Sequence, residues 1–309
     1  MPSGPREPGS GAPPRRVIGL GLCVLDHALV VDSFAGAERL RYRRRLVSPG
    51  GMATNAVYQA SALGVPARLL TALGADEEGR ALRRALRRDG LDVRGVRLAE
   101  GVETTVCIAL VRRADGERRF LVADRRRVEA RAPDFDLSGI DRHALLLLDG
   151  HFPEQALRAA RRARERGALV MADLSDTRPS HLRLLPCVDL PIVPRSFARS
   201  FGDGSPTRAL RRLHERFGGT PVVTLGPRGG VYLAGGRVRR FEAVPARVLD
   251  TTGAGDVFHG AVAAALVHGA PLATALRIGA HAAARNCGAL GGHGRLLDRA
   301  RFARLLRAA

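Results

Sequence analysis

Short apolar runs alternate with amphipathic segments along most of this chain, and that alternation restricts the possible folds more than any other feature. "RVIGLGLCVLD" (16–26) reads as a buried strand, and "GMATNAVYQASALG" (51–64) as a helix with Ala53, Ala56, Val57, Ala60 and Leu63 at helical spacing. "PARLLTAL" follows as a strand. Residues 76–89 then place Ala81, Leu82, Ala85 and Leu86 on one helical face and end at Gly90, which suits a left-handed cap. Further strands are expected at "ALLLLDG" (144–150), "GALVMADL" (167–174), "VDLPIVP" (188–194) and "TPVVTLG" (220–226), separated by helices near 153–166 and 205–217. Strands that alternate with helices build a mostly parallel sheet covered on both faces, an α/β architecture with ligands at the carboxyl ends of the strands. Two stretches break the pattern: residues 28–47, and "TTVCIALVRRADGERRFLV" (104–122), which reads as a hairpin turning at Asp115-Gly116. Strands outside such a sheet often form a flap.

With 309 residues and 45% hydrophobic content, the chain can bury the core of one large α/β domain or two ordinary ones. No run approaches the roughly 18 apolar residues of a membrane-spanning helix, so no membrane partner is expected. "MPSGPREPGSGAPPRR" (1–16) lacks the apolar core of a secretory signal and reads as a loose, disordered Pro/Gly-rich tail ahead of a domain over 17–309. Cys23, Cys107, Cys187 and Cys287 are widely spaced with no CxxC pair, which suggests neither zinc nor disulfides and fits a reducing cytoplasm. The net charge of +20 would suit nucleic acid, yet all 50 basic residues are arginine, spread over segments such as "RALRRALRRDG". Aromatics are 4% with no Trp, which leaves little for base stacking. Solvated helix faces account for the arginines, and no nucleic-acid partner is expected.

The chemistry concentrates in "VLDTTGAGDVFHGAVAAALVHG" (248–269). Gly253 and Gly255 let main-chain N–H groups approach a ligand, and at a helix amino end these groups form an anion site. Such donors stabilise a phosphoryl group in transfer, and Asp256 could accept the proton of an attacking hydroxyl. Simple helix capping is the structural alternative. In "SPGGMATNAVYQASALG" (48–64), Gly50 and Gly51 would let a polyol lie against the backbone, and Asn55 offers a donor and an acceptor for vicinal hydroxyls. Asp26, at the end of the first strand, is a second polyol ligand candidate. A turn and a polar first-turn residue are the plainer readings of these positions.

The "GG…N" stretch and "DTTGAGD", in this order and at this separation, resemble the two signature regions of the ribokinase-like carbohydrate kinases, the phosphofructokinase B type, over about residues 17–300. The resemblance implies ATP-dependent phosphorylation of a sugar on a three-layer core: a mostly parallel sheet with helices on both faces, plus a small β-sheet lid. By that resemblance Asp256 is the general base and the backbone of Gly253, Ala254, Gly255 and Asp256 the anion hole. Asp26, Gly50, Gly51 and Asn55 match substrate-binding positions. "VVTLGPRGGVYL" places Thr224, Gly226 and Gly229 near ATP, with Asn286 also on the nucleotide side. Lid strands are expected at about 28–47 and 104–124, making Glu38, Arg39 and Asp124 specificity contacts or merely exposed charges. Asp250 and Thr252 match positions that bind a monovalent cation such as K+ in some members. Mg2+ is implied as well, but the family's Asn-x-x-Glu element is replaced by Arg195 and Ala198.

"TTGAGDVFHGA" and "NCGALGGHGRLLD" lean toward the ketohexokinase and sulfofructose kinase branch, hence a ketose or sugar derivative. A homodimer through the lid would follow from a protruding sheet. Two other readings fail on residues. "GLGLCV" has Val24 where a dinucleotide fingerprint needs its third glycine, and a P-loop needs a lysine this chain lacks. A non-catalytic sugar or nucleotide sensor on the same fold is the remaining alternative, against which Asp256 argues, since a sensor need not deprotonate its ligand.

Overall fold

A computed structural model describes residues 12–34 and 39–308. In chain order the strands and helices are β1 (Arg16–Leu20), β2 (Val24–Val31), β3 (Tyr42–Gly50), α1 (Met52–Ala62), β4 (Ala67–Gly74), α2 (Glu77–Arg88), β5 (Val96–Ala99), β6 (Val106–Arg112), β7 (Arg118–Val122), α3 (Arg126–Arg131), β8 (Ala144–Leu148), α4 (Pro153–Glu165) and β9 (Leu169–Asp173). There follow α5 (Pro179–Leu184), β10 (Leu190–Pro194), α6 (Arg195–Phe201), α7 (Pro206–Phe217), β11 (Val222–Thr224), β12 (Gly230–Ala234), β13 (Arg237–Phe241), α8 (Ala254–Val267), α9 (Leu272–Asn286) and α10 (Arg299–Arg307).

Nine strands form one sheet in the order β13-β12-β11-β10-β9-β8-β1-β4-β5. It is parallel from β11 to β5 and antiparallel only across β11/β12 and β12/β13. The central strands are apolar throughout, as in "ALLLL" of β8, because both faces are covered. On one face α4, α5, α6 and α7 pack in a cluster that includes Phe152, Leu157, Leu184, Phe197 and Leu210. On the other, α8 and α9 bury Phe258, Val262, Leu276 and Ile278 against Leu145, Met171 and Ile192. Helix α8 lies against α1 with no side chain between them at Gly260, where a Cβ would stand 2.1 Å from the Ala56 carbonyl oxygen.

A separate four-stranded sheet, β3-β2-β6-β7, joins the pattern-breaking stretches. The strand expected over 16–26 is in fact two strands in two sheets. The chain leaves the large sheet after Leu20 and enters the small one at Val24, and apolar composition alone carries no mark of that change. Register places Asp26, Ala28 and Val30 on one face with Cys107, Ala109 and Val111 of β6, and here Ala28, Val30 and Val111 pack on Leu290. The opposite face carries Leu29, Val47, Ile108, Leu110 and Leu121. The hairpin expected to turn at Asp115-Gly116 does so, and a Cβ at Gly116 would lie 3.0 Å from the Leu249 carbonyl oxygen. The expected tail falls mostly on residues 1–11, outside the described residues, while Arg16 belongs to β1. Among the described residues no helix is long and apolar enough to cross a membrane.

Candidate active site

Parallel strands bring their carboxyl ends to one rim, and two of them deliver a carboxylate there: Asp149 directly after β8 and Asp173 as the last residue of β9. Asp149, buried at 1% exposure, accepts from Leu22 N–H at 2.7 Å and Ala53 N–H at 3.1 Å with one oxygen and from His151 N–H at 3.0 Å with the other. It therefore ties the sheet-changing loop to the start of α1. Three residues after Asp149, Phe152 holds a left-handed conformation at φ 53, a strained geometry at the rim.

Helix α8 faces these carboxylates with its amino end. Gly253 caps it at φ 70, with the Gly292 carbonyl 1.9 Å from where a Cβ would be, so only glycine fits. A Cβ at Gly255, by contrast, would meet nothing within 4 Å, so the space over the first turn is open. The Ala254 N–H reaches the Thr251 carbonyl at 3.3 Å, leaving the N–H groups of Gly255 and Asp256 as first-turn donors without an intrahelical partner.

Asp256 is half-buried in that turn, and its Oδ2 accepts from Asn55 Nδ2 at 2.7 Å. Burial, reinforced by the charge of Asp173, raises its pKa to about 7, against the opposing effect of the Asn55 hydrogen bond and His259. Asp173 is raised to about 8, by burial first and by Asp149 second. The His259 ring stands beside Asp173. Its Nδ1 lies 2.6 Å from the Gly255 carbonyl and 3.2 Å from Asp173 Oδ2, and burial lowers its pKa. Two carboxylates pushed toward neutrality beside an open helix amino end make a place where a proton can be taken up near pH 7.

The other expected residues distribute as follows. Asp26 sits on the inner face of the small sheet, half-buried, its pKa raised to about 6 by burial and lowered in part by a hydrogen bond from the Cys107 thiol. Gly50 makes room for Asp26 itself, since a Cβ would fall 1.8 Å from its Oδ2. Gly51, at φ 102, admits the Leu22 carbonyl, 2.3 Å from its would-be Cβ. The glycine pair thus accommodates protein atoms on its Cβ side. Asn55 is 2% exposed, and its Oδ1 faces His293 Nδ1 at 2.9 Å. Asn286 is fully buried and spends its amide on Thr252 O at 3.0 Å, Gly292 O at 3.2 Å and Arg295 N at 3.3 Å. It holds the loop before α8 to the loop after α9. Asp250 does the same, accepting from Thr252 N–H and hydroxyl with Oδ1 and from Gly291 N–H with Oδ2.

Thr224 ends β11 at the same rim, followed by a 3-10 turn, Gly226–Arg228, and Gly229. Arg39 and Asp124 are exposed, and Asp124 pairs with Arg126 at 2.9 Å. Glu38 lies outside the described residues. At the start of α6, Arg195 is exposed and Ala198 is buried. Neither can ligate a metal ion, and among the described residues no group of three His, Cys, Asp or Glu could hold one. The residues present therefore supply no all-protein Mg2+ cage, whereas the open first turn of α8 fits an anionic phosphoryl group. Asp149, Asp173 and His293 escaped the sequence reading. The available signal for the first two was an Asp closing each of two central apolar runs.

Comparison with known proteins bears on the family and the fold. A family model described as pfkB family carbohydrate kinase matches residues 15–296. Mouse (Mus musculus) ketohexokinase is 26% identical over 293 residues, covering 90% of this chain and 97% of its own. A solved structure from Agrobacterium tumefaciens superposes with a TM-score of 0.88 at 26% identity, covering 96% of this chain and 98% of that one. Arabidopsis thaliana ribokinase, solved in complex with ribose and ATP, gives 0.80 at 22% identity, covering 96% and 99%.

Proposed function

The chain belongs to the pfkB family of carbohydrate kinases, and on that premise we propose that Asp256 is its general base and the first turn of α8 its anion hole. The observation that carries this reading is Asp256 itself: half-buried, raised to about 7, held by Asn55 at 2.7 Å, and adjacent to the open space over Gly255.

A sugar lies between the small sheet and the rim, with Asp26 accepting from its hydroxyls. The Asn55 amide nitrogen has two protons, one for Asp256 and one for the sugar. The γ-phosphoryl of ATP sits over Gly253, Ala254, Gly255 and Asp256. The reacting hydroxyl gives its proton to Asp256 while its oxygen forms a bond to phosphorus, and the bond to the ADP oxygen breaks. Charge developing on the phosphoryl oxygens meets the N–H groups of Gly255 and Asp256. The small sheet acts as a lid over the sugar, and its hairpin already reaches the segment at Leu249.

Thr224, Gly226 and Gly229 border the adenosine side. Asp250 and Thr252 border a site for K+, while Asn286 supports the phosphate loop from below. Mg2+ arrives with the nucleotide's phosphates, and Arg195 places a fixed positive charge where the family's Asn-x-x-Glu stands. The favoured substrate is a ketose or a ketose derivative, supported by the ketohexokinase likeness at 26% identity. The outer face of the small sheet, with Val47 42% and Leu121 57% exposed, supports a homodimer through the lid.

The test is ADP release across ketoses, aldopentoses, nucleosides and phosphorylated or sulfonated sugars, for wild type beside Asp256→Asn. Turnover on ketoses, reduced by about 10²–10⁴-fold or more in the variant with ATP still raising its Tm, is the expected result. A variant with wild-type turnover removes Asp256 from the role, and turnover confined to aldopentoses or nucleosides removes the ketose assignment.

A further inference from the structure

Behind Asp256 runs a line of contacts that leads away from the substrate space. Asn55 Nδ2 donates to Asp256 Oδ2 at 2.7 Å, and on the other side of the same amide His293 Nδ1 stands 2.9 Å from Asn55 Oδ1. The His293 ring lies flat on Tyr58, with centroids 4.0 Å apart and planes within 8°. The Tyr58 hydroxyl in turn donates to Asp89 Oδ2 at 2.7 Å. Tyr58 and Asn55 are three residues apart on α1, so one helix face carries both the stacking platform and the amide.

A primary amide can present either its oxygen or its nitrogen to a neighbour, and the two orientations differ by a 180° flip. Facing an ionised carboxylate, only the nitrogen is favourable. Facing a protonated one, the oxygen can accept its hydrogen instead. His293 decides between them. With Nδ1 protonated, its N–H opposes Asn55 Oδ1, and a flipped amide would set two donors against each other. Burial lowers the His293 pKa to about 4, so the ring is neutral near pH 7 and adds no charge to the site.

We propose that His293 is a positioning residue for phosphoryl transfer, locking the Asn55 amide so that its nitrogen always faces Asp256. This rests on Asp256 being the base. The lock favours the ionised carboxylate, because while Nδ1 carries the ring proton the orientation that would stabilise the protonated form sets two donors face to face. It works against the other groups that face Asp256, namely Asp173 from β9 and Asp149 from the end of β8, and alongside His259 from α8 itself. Asp89, at the far end of the line, faces His293 from the end of α2.

The experiment measures kcat against pH for His293→Phe, His293→Asn, His293→Gln and Asp256→Asn beside wild type. Phe keeps a ring for Tyr58 and removes the donor. Asn places an amide N–H where Nδ1 stands, and Gln reaches the Nε2 position instead. The expected result is that His293→Phe lowers kcat about fivefold or more and moves the acid limb up by roughly half a pH unit to one unit. KM for ATP stays within about twofold, since the anion hole is untouched. His293→Gln repeats this loss and His293→Asn restores both readings. A wild-type acid limb in both Phe and Gln variants overturns the proposal, and so does an equal loss in Phe, Gln and Asn with the limb unmoved, which is what simple packing would give. If Asp256→Asn is inactive while the limb stays fixed, the lock fails and the base stands. If Asp256→Asn keeps its turnover, the base assignment fails and the lock with it.

Discussion

Asn55 and Asp256, 201 residues apart in sequence, meet amide to carboxylate at 2.7 Å. One comes from the first turn of α1 and the other from the first turn of α8, so the contact joins two helix amino ends. Each end contributes a favourable field for negative charge, yet burial and Asp173 still lift Asp256 to about 7. The pair is therefore poised, with the carboxylate close to half-ionised at neutral pH.

That poise sets the pH dependence of turnover. If Asp256 is the base, it serves only when ionised, so activity should be present above its pKa and lost as pH falls through about 7. Below that limb kcat should drop about tenfold per pH unit. A kcat profile from pH 5 to 9 checks this, and a limb near 4 would mean that the buried environment does not act on the catalytic group.

Asp173→Asn separates stability from activity. The carboxyl is raised from 3.8 to about 8 on folding, so its contribution to stability is fully present below pH 3.8 and is lost as pH rises toward 8. The amide cannot ionise, so the variant should melt on the order of 5 °C higher than wild type at pH 8 and no higher at pH 4. Above pH 8, where the Asp173 carboxyl is ionised, the substitution also removes a like charge beside Asp256, so any change in the rate profile should be confined to that range. Calorimetry at the two pH values and the rate profile together test it, and equal melting at pH 8 would contradict the raised carboxyl.

Two neighbouring glycines should behave differently. At Gly253 an alanine needs φ 70 and meets the Gly292 carbonyl at 1.9 Å, which should cost about 1–3 kcal/mol and shift Tm and turnover together. At Gly255 the added methyl meets nothing within 4 Å, so Tm should hold while KM for ATP rises. Paired Tm and ATP kinetics check both.

The outer face of the small sheet gives a prediction on assembly. Leu121, 57% exposed, shares that face with Val47, Leu29, Ile108 and Leu110. If this face pairs two chains, Leu121→Asp should convert a dimer to a monomer in sedimentation velocity at micromolar concentration. A wild type that sediments as a monomer would set the assembly aside.

Much of the architecture could be read before any coordinates, because the central strands are short apolar runs closed by Gly, Asp or Pro, and the helices between them have one apolar face. The change of sheet between Leu20 and Val24 was hidden, since "GLGLCV" is as apolar inside the crossing as on either side. The β12/β13 hairpin was hidden because "RVRRF" is charged and half-exposed, though Gly235-Gly236 marked its turn. In the site, Asp256 was legible from its glycines. The work of Asn55 was legible only by half, because the donor that occupies its oxygen comes from His293, 238 positions away. Asp149 and Asp173 are single carboxylates whose meaning depends on which strands lie side by side, and no local pattern records that.

The bare contact between Gly260 and the Ala56 carbonyl also bears on how such a chain can diversify. With no side chain in that seam, the distance between the two helices is set by backbone against backbone and does not drift when surrounding residues are exchanged. The small sheet and its loops stand outside this clamp. Substitutions there can reshape the small sheet while Asp256 and Asn55 keep their places, so on the proposed function recognition and chemistry would be inherited as separable parts.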